Sequence, residues 1–400
     1  MTVCADKLMQ GFPPEVAGVV TRENWTSPPY LRWGFLHTRE IVSTARIGRG
    51  DGPVLELPHD PYDVEPITYT TPDGASSTVR AMLDESFTDG FLVLQDGRIR
   101  YEHYGEGMTQ GTTHLLQSVS KSITGTVAGI LIGDGRLARE AAVTEVIPEL
   151  AGSSFEGATV RDVLDMRTGT RFNETYSDPD SDVRISEQLA GWRPPRTGLE
   201  MRNVYEQIAS LDNARPHGEV FEYRSILTDL LGWMLERASG LRLAELISQE
   251  LWSKIGAEQD AEITVHEGVA LPDGGICVTL RDLARFALLH MRAGELEGRR
   301  IVPEEWVMDT RFPDAKAVEA YNRSEDAFHD PGWAYRNQWW VIDPRQGITT
   351  GLGIHGQFAY VNPAAGVVCV KLSTWPDSLD PQKQAATLAA CAAIAAQLAS

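Results

Sequence analysis

The stretch LLQSVSKSITGTVAGILIGDGRL, residues 115–137, is the most informative part of the sequence for the fold. Its apolar residues recur at helical spacing, for example at Ile123 and Val127, and the run closes at Gly133 and Gly135. The stretch therefore predicts one helix that contains glycine and is otherwise largely apolar. A lysine near the start of such a helix needs an explanation.

Ser118 and Lys121 open this helix in the pattern S-x-x-K. Residues three apart share a face of a helix, so the Lys121 amine can lie against the Ser118 hydroxyl. A serine becomes a good nucleophile when a neighbouring base takes its proton, and a desolvated lysine can be that base. The pattern predicts a nucleophilic serine. The alternative is that Ser118 only caps the helix while Lys121 extends into solvent.

Tyr223 lies in the segment FEYRS, residues 221–225, where an extended run meets a helix. A cationic lysine beside a tyrosine lowers the pKa of the phenol, which could then act as a general base. This makes Tyr223 a candidate catalytic residue. The alternative is a core tyrosine whose hydroxyl has an ordinary hydrogen-bond partner.

The segment GLGIHGQ, residues 351–357, matches the G-x-G-x-x-G pattern of dinucleotide-binding loops. Such a loop opens a helix, whereas FAYV at residues 358–361 is typical of a strand, so we reject the nucleotide interpretation. A glycine-rich strand lets a ligand approach the backbone, and an N–H here could join that of Ser118 in an oxyanion hole. The alternative is a bulge or bend that curves the sheet. The histidines that stand out are His355 and His114.

The flanking sequence contains both strand and helix patterns. Residues 91–101 predict a hairpin with a tight turn at its centre. Residues 225–252 predict two helices divided near Gly240. Short strand-like runs follow residue 333, and an Ala-rich helix begins near Gln382.

The order of these patterns predicts an α/β architecture in two lobes. Residues 1–137 and 293–400 would form an α/β lobe, in which residues 1–85 are partly an extended arm. Residues 138–292 would form an inserted all-helical lobe. The active site would lie in the cleft between the lobes.

The composition excludes several classes of function. A net charge of −20 argues against nucleic acid, which requires basic stripes along the phosphate backbone. No segment reaches the ~18 consecutive apolar residues of a membrane helix, so no membrane association is expected. The N-terminus lacks the pattern of a signal peptide, so we expect a cytoplasmic location. The acidity predicts a solvated surface or, as a weaker hypothesis, a cleft that attracts a cationic substrate.

The cysteines predict neither a metal site nor a disulfide framework. None of them has CxxC spacing with another. They are Cys4, Cys277, Cys369 and Cys391.

In this order, S-x-x-K, Tyr-x-Ser at residues 223–225 and a glycine-rich strand resemble the class C β-lactamase and penicillin-binding superfamily of serine hydrolases. Further stretches resemble the 6-aminohexanoate-dimer (nylon-oligomer) hydrolases and related carboxylesterases. They include SPPYLRWGFLH, FNETYSDP, LAGWR, DGGICVTLRDLAR and VKLSTWPD. This resemblance runs from about Asn24 to the C-terminal helix.

The resemblance implies the β-lactamase-like fold of class C and DD-peptidase enzymes, an antiparallel sheet flanked by helices with an inserted helical domain. It implies that Ser118 forms an acyl-enzyme and that Lys121 and Tyr223 move the proton. Backbone N–H groups of Ser118 and Ile354 would hold the oxyanion. Tyr176 corresponds to a tyrosine that assists amide cleavage by bonding the substrate nitrogen. The family uses no metal or organic cofactor, and the resemblance suggests a homodimer.

Two departures from the β-lactamase pattern affect the expected substrate. H-G-Q at residues 355–357 replaces Lys-Thr/Ser-Gly, and Ser225 replaces Asn, so groups that grip a β-lactam are lost. Glu187 and Asp273 fall where an acidic side chain would favour a cationic substrate end. The predicted substrate contacts are Tyr176, Glu187, Asp273 and His355.

We therefore predict a serine hydrolase that cleaves short-acyl carboxylic esters. The closest named possibility beyond ester hydrolysis is amidase activity, the cleavage of the amide bond in linear 6-aminohexanoate oligomers. Two alternatives stay open, a weak β-lactamase or D-alanyl-peptidase and a catalytically inert relative that binds a ligand. The predicted partner is a small-molecule ester or amide, without a metal or cofactor.

Overall fold

The computed structural model describes residues 7–326 and 328–400 of the chain, and strands and helices are numbered in chain order. The strands are β1 Thr44–Ile47, β2 Thr68–Thr70, β3 Ser76–Thr78, β4 Thr88–Gln95, β5 Arg98–Tyr104, β6 His114–Leu115, β7 Ala261–His266, β8 Val269–Ala270, β9 Ile276–Val278, β10 Glu295–Leu296, β11 Arg299–Arg300, β12 Ala334–Arg336, β13 Trp339–Asp343, β14 Ile348–Gly353, β15 Gln357–Asn362 and β16 Val367–Ser373. The α-helices are α1 Leu31–Leu36, α2 Val79–Glu85, α3 Val119–Gly133, α4 Val143–Val146, α5 Val160–Leu164, α6 Asp182–Leu189, α7 Val204–Ser210, α8 Ile226–Ser239, α9 Leu243–Ile247, α10 Leu280–Met291, α11 Glu304–Arg311, α12 Ala315–Asn322 and α13 Pro381–Leu398.

A seven-stranded antiparallel sheet has the order β12-β13-β14-β15-β16-β4-β5. Both ends of the chain build it, because β4 and β5 come from the first part of the sequence and the other five strands from the last. The two contributions meet where β16 pairs with β4, with Val370 opposite Leu92. This is the antiparallel sheet flanked by helices that the sequence predicted.

Helices cover both faces of this sheet because its central strands are apolar on both sides. Leu92 and Leu94 of β4 belong to the core that contains α3 and α10. Phe91 and Val93 belong to a second core that contains α13. Consecutive strand residues point to opposite faces, so alternate residues of β4 serve the two cores.

A second sheet differs from the sequence prediction. It has the order β1-β7-β9-β6, with β8 paired to β7, and β7, β8 and β9 lie within the range 138–292 that was predicted to be all helical. These strands are short apolar and β-branched runs, and β7 and β9 pair with β1 and β6, respectively, from distant parts of the chain. Helix α10 of the same range packs on the seven-stranded sheet. The division of the chain into two lobes at residues 137 and 293 stays a prediction.

Helix α3 confirms the helix predicted from residues 115–137, and it is buried from Val119 to Leu131. Two glycines make this burial possible. A Cβ at Gly129 would lie 2.5 Å from the Trp306 ring, and a Cβ at Gly125 would overlap the Asn337 carbonyl oxygen. Real atoms do not approach so closely, so only glycine lets the neighbouring side chain and backbone pack against this helix.

Other predicted elements are confirmed with small changes in their bounds. Strands β4 and β5 form the predicted hairpin, and α8 ends at Gly240, whose φ of 73° is left-handed. Residues 7–85 are more than an extended arm, since they contain two helices and three strands. They also place Trp25 and Phe35 in the core.

Three further findings concern residues 7–326 and 328–400. The cysteines among them, Cys277, Cys369 and Cys391, are buried and free, and Cys4 lies outside the described residues. Within these residues no group of three or more His, Cys, Asp or Glu side chains could hold a metal ion. A helix with the length and apolarity needed to cross a bilayer is also absent from them.

Candidate active site

Ser118 lies at the junction between β6 and α3. Contacts with β9 hold this junction, because the N–H of Leu116 donates to the Ile276 carbonyl at 2.8 Å and the Ile276 N–H donates to Ser120 Oγ at 3.1 Å. Gln117, just before the serine, has a φ of 48°, which is unusual for a residue with a side chain. The backbone is therefore turned sharply at the residue that presents Ser118.

The Lys121 amine lies against the Ser118 hydroxyl, as the S-x-x-K spacing predicts. Lys121 Nζ donates to Ser118 Oγ at 2.9 Å and to the Asp273 carbonyl oxygen at 2.8 Å. The lysine side chain is only 1% exposed, and Ser118 makes no side-chain capping bond. The alternative of a capping serine and a solvent-exposed lysine is wrong.

Tyr223 packs into the same buried group. Its ring stacks on Trp340 with centroids 5.3 Å apart, and Lys121 Nζ lies 5.3 Å from its ring centroid. Its backbone N–H donates to Asp326 at 3.1 Å, which fixes the start of the segment before α8. Ser118 lies beside its hydroxyl group.

Lys121 and Tyr223 are both protonated in the resting site. Burial lowers the pKa of Lys121, but Tyr223, Asp273 and other acidic neighbours outweigh burial and hold that pKa above its ordinary value. Burial raises the pKa of Tyr223 more than Lys121 lowers it, so the lowered value predicted from the sequence is wrong. An ammonium and a neutral phenol therefore describe the resting site.

The glycine-rich segment 351–357 brings a strand end close to Ser118. Strand β14 pairs regularly with β15, from Thr349 to Gly353, so the segment is a hairpin and contains no bulge at the glycines. A Cβ at Gly353 would lie 2.7 Å from the Leu116 carbonyl oxygen. The absence of a side chain there lets Ile354 line the same cavity as Ser118.

His355 is a predicted substrate contact that the structure does not bring to the cavity. It lies in the β14–β15 turn with a φ of 60°, and its Nδ1 is 2.7 Å from the Trp375 carbonyl oxygen. Its ring packs edge-on against Phe35, and burial lowers its pKa to about 4. A buried neutral imidazole with these partners holds the hairpin in place. His114 is likewise buried, 3.3 Å from Asp89.

Tyr176 lies at the cavity wall beside a carboxylate that the sequence did not reveal. The Tyr176 hydroxyl donates to Glu174 at 2.8 Å, and Glu174 also accepts from the N–H of Ser225 at 3.0 Å. Glu174 thus ties the tyrosine to the start of α8. Its place in the ETYS segment, two residues before Tyr176, was the available signal, but burial of an acid cannot be seen in a local pattern.

Glu187 and Asp273 line a small recess beside Ser118. Arg184 donates to both oxygens of Glu187 at 2.7 Å, and Arg193 pairs with it as well, so two guanidinium groups more than offset its single negative charge. Asp273 contributes its backbone carbonyl to Lys121 and holds its carboxylate 3.7 Å from the amine. Burial raises the pKa of Asp273 above its ordinary value, although Lys121 opposes this.

A cavity of about 220 Å³ opens beside Ser118. It is lined mainly by aromatic and aliphatic side chains, with carboxyl groups of Asp330 and Asp380 among them. The aromatic lining residues are Tyr176, Tyr223, Phe328, Trp333 and Trp340. A larger cavity of about 900 Å³ shares Tyr176, Phe328 and Leu379 with it. A pocket that combines apolar walls with polar groups next to a candidate nucleophile is typical of a small-molecule site.

Known proteins resemble this chain in sequence and structure. A family model described as beta-lactamase matches residues 76–394. The 6-aminohexanoate-dimer hydrolase of Paenarthrobacter ureafaciens is 38% identical over 92% of this chain and 91% of its own length. A Bacillus anthracis structure with a provisional assignment as a 6-aminohexanoate-dimer hydrolase is 26% identical, covers 95% of this chain and 97% of its own, and has a TM-score of 0.86. A family VIII carboxylesterase, 16% identical, has a TM-score of 0.58 over 79% of this chain and 96% of its own.

Proposed function

This chain belongs to the β-lactamase family of serine hydrolases, and we propose that it cleaves short-acyl carboxylic esters through an acyl-enzyme on Ser118. The observation that carries this proposal is the 2.9 Å hydrogen bond from buried Lys121 to Ser118, at the edge of a cavity with aromatic and polar lining residues. A nucleophile and its proton acceptor need this distance.

In the proposed reaction Ser118 Oγ attacks the carbonyl carbon, and the serine proton passes to the Lys121–Tyr223 pair. That pair then gives a proton to the departing alkoxide or amine as the bond to the carbonyl carbon breaks. Water repeats the attack on the acyl-enzyme and loses a proton to the same pair, which returns a proton to Ser118 Oγ as the bond to the acyl carbon breaks and the acid leaves. Backbone N–H groups of Ser118 and Ile354 would hold the negative oxygen in both steps.

We extend the proposal to the amide bond of linear 6-aminohexanoate oligomers. The extension is supported by the 38% identity to the Paenarthrobacter ureafaciens enzyme and by Tyr176 at the cavity wall. Glu187 and Asp273 beside Ser118 would favour the ammonium end of such a substrate. The pairing of Glu187 with Arg184 and Arg193 reduces the charge available for that contact.

The first test measures p-nitrophenyl butyrate hydrolysis by the wild type and by Ser118→Ala. We expect the variant to lose activity by about three orders of magnitude or more. Ser122→Ala is a matched control, because Ser122 is on the same helix and donates to the Gln338 carbonyl, away from the proposed chemistry. It should stay within about threefold of the wild type.

Two outcomes of this test would contradict parts of the proposal. Equal activity of the Ser118→Ala variant would mean that Ser118 is not the nucleophile. A wild type that hydrolyses neither this ester nor the linear 6-aminohexanoate dimer would leave the inert ligand-binding relative as the better account. Acylation by a fluorescent penicillin would favour the β-lactamase or D-alanyl-peptidase alternative.

The expected assembly is a homodimer, which rests on the family resemblance. Mass measurement of the native protein in dilute solution tests it, and a monomer at micromolar concentration would contradict it.

A further inference from the structure

A buried carboxyl group lies near the proposed catalytic lysine. Asp229 of α8 is only 2% exposed, and within residues 7–326 and 328–400 neither of its carboxyl oxygens makes a hydrogen bond of ordinary geometry, although the backbone and carboxyl group of Asp273 lie close to it. Transfer of an ionised carboxylate into such a place is strongly unfavourable, whereas a neutral acid costs far less. The surroundings of Asp229 therefore favour its protonated form.

The charged groups around Asp229 also favour its protonated form. Three ionisable groups from different elements interact electrostatically with Asp229: Lys121 of α3, Asp273 of the 271–275 loop and Glu174 before α6. Tyr205 of α7 faces it from a fourth element. The Lys121 ammonium thus lies near three carboxyl groups, which are those of Asp229, Asp273 and Glu174. Burial, followed by repulsion from Asp273, raises the pKa of Asp229 well above its ordinary value, despite attraction to Lys121. Neighbouring buried carboxyl groups do not ionise together readily.

The loop of residues 271–275 contacts both Asp229 and Lys121. Asp273 of this loop presents its backbone and its carboxyl group to Asp229. The carbonyl oxygen of the same Asp273 accepts the hydrogen bond from Lys121 Nζ at 2.8 Å. The neighbouring Pro272 carbonyl accepts from Thr124 of α3 at 3.3 Å. Any shift of this loop would therefore move an acceptor that orients the Lys121 amine.

We propose that Asp229 is a neutral carboxylic acid in the folded protein at pH 7 and that it positions Asp273 against Lys121. The catalytic part of this inference rests on the proposed function. As a donor, the acid can hold the Asp273 carboxylate in place. Because it is neutral, it adds no further negative charge that would keep the proton on Lys121. Asp229 is a positioning residue, since it acts on the reaction only through Asp273 and Lys121.

Thermal unfolding between pH 5 and pH 8 tests whether Asp229 is protonated in the folded protein, and it does not require enzymatic activity. A carboxyl group that is neutral when folded and ionised when unfolded makes the wild type less stable as pH rises above about 4. Asp229→Asn lacks this ionisation, so the Tm of the variant minus that of the wild type should rise by about 5 °C over this range. A constant or falling difference would overturn the proposal.

Asp260→Asn is the matched control for the unfolding test. Asp260 pairs with Arg46 at 2.5 Å, and that hydrogen bond lowers the pKa of the carboxyl group. This residue is therefore ionised in both the folded and the unfolded protein from pH 5 to pH 8. Its Tm difference from the wild type should stay constant, which shows that a rise at Asp229 is specific to that residue.

Hydrolysis of p-nitrophenyl butyrate tests whether Asp229 positions Asp273 against Lys121. Asp229→Asn keeps a neutral donor, so kcat/KM should stay within about threefold and its pH profile should not move. Asp229→Leu removes the donor, so kcat should fall about tenfold or more while KM changes less than about twofold. A Leu variant as active as the wild type, or a profile moved to lower pH in the Asn variant, would overturn the inference. A wild type without turnover would contradict the proposed function alone, because the unfolding test needs no activity.

Discussion

Lys121 and Tyr223 share one buried group, where burial opposes the charged form of each. For Tyr223 burial prevails and keeps the phenol neutral, whereas for Lys121 the acidic neighbours prevail and keep the ammonium. In the proposed reaction the pair must therefore lose one proton before it can activate Ser118. The S-x-x-K spacing predicted the contact between Lys121 and Ser118, but the direction of these pKa shifts depends on residues from three other parts of the chain.

We therefore predict that kcat/KM for p-nitrophenyl butyrate rises between pH 7 and pH 9. The pKa of Lys121 is raised, so the fraction of neutral amine grows with pH throughout this range, by up to about tenfold per pH unit. Initial rates corrected for spontaneous hydrolysis provide the measurement. A flat profile would show that the resting pair already lacks this proton.

We predict that Tyr176→Phe separates the amide reaction from the ester reaction. An amine is a poor leaving group and needs a proton donor, whereas p-nitrophenolate leaves without one. The loss of the Tyr176 hydroxyl should lower amide hydrolysis of the linear 6-aminohexanoate dimer by about tenfold or more and leave ester hydrolysis within about threefold. Equal losses on both substrates would mean that Tyr176 supports the site only through Glu174.

At the scale of secondary-structure elements, local patterns predicted those elements that depend on local interactions. The β4–β5 hairpin, α3 and the break at Gly240 follow from turn residues and helical periodicity. The β1-β7-β9-β6 sheet was not predicted, because each of its strands is short and pairs with partners far along the chain. Buried acids such as Glu174 and Asp229 escaped prediction for the same reason, since only the assembled elements bury them.

The close approach of β14 to the start of α3 leads to a prediction for Gly353→Ala. The new Cβ would lie 2.7 Å from the Leu116 carbonyl oxygen, so the strand must move away from Ser118 and take the Ile354 N–H with it. We expect kcat to fall about tenfold or more and stability to fall by about 1–3 kcal/mol. Steady-state kinetics and thermal unfolding check both effects.

Gly111→Ala is the control for this substitution. A Cβ at Gly111 would meet no atom within 4 Å, and Gly111 does not require a left-handed conformation. Activity and Tm should therefore match those of the wild type. If Gly353→Ala behaves like this control, the strand end is not held against the nucleophile as tightly as described.

At the scale of the whole molecule, the net charge of −20 should act on substrates before they enter the cavity. A field of this sign attracts cations, and salt screens it over about 8–10 Å at physiological ionic strength. We predict that kcat/KM for an amide with a free ammonium end falls severalfold between 20 mM and 500 mM NaCl. The neutral p-nitrophenyl butyrate is the control and should change little. The same dependence for both substrates would mean that salt acts on the protein rather than on the encounter.

The pairing of β16 with β4 has a consequence for the way the protein is made. Residues 88–95 form a central strand, yet their partner, residues 367–373, leaves the ribosome nearly 280 residues later. Domains fold as units during synthesis once their sequence is available, so this sheet cannot close around β4 until residues 367–373 have also been synthesised. Nascent chains that stop before residue 367 would expose the apolar edge of β4, and they would depend on chaperones rather than on their own core for protection against aggregation.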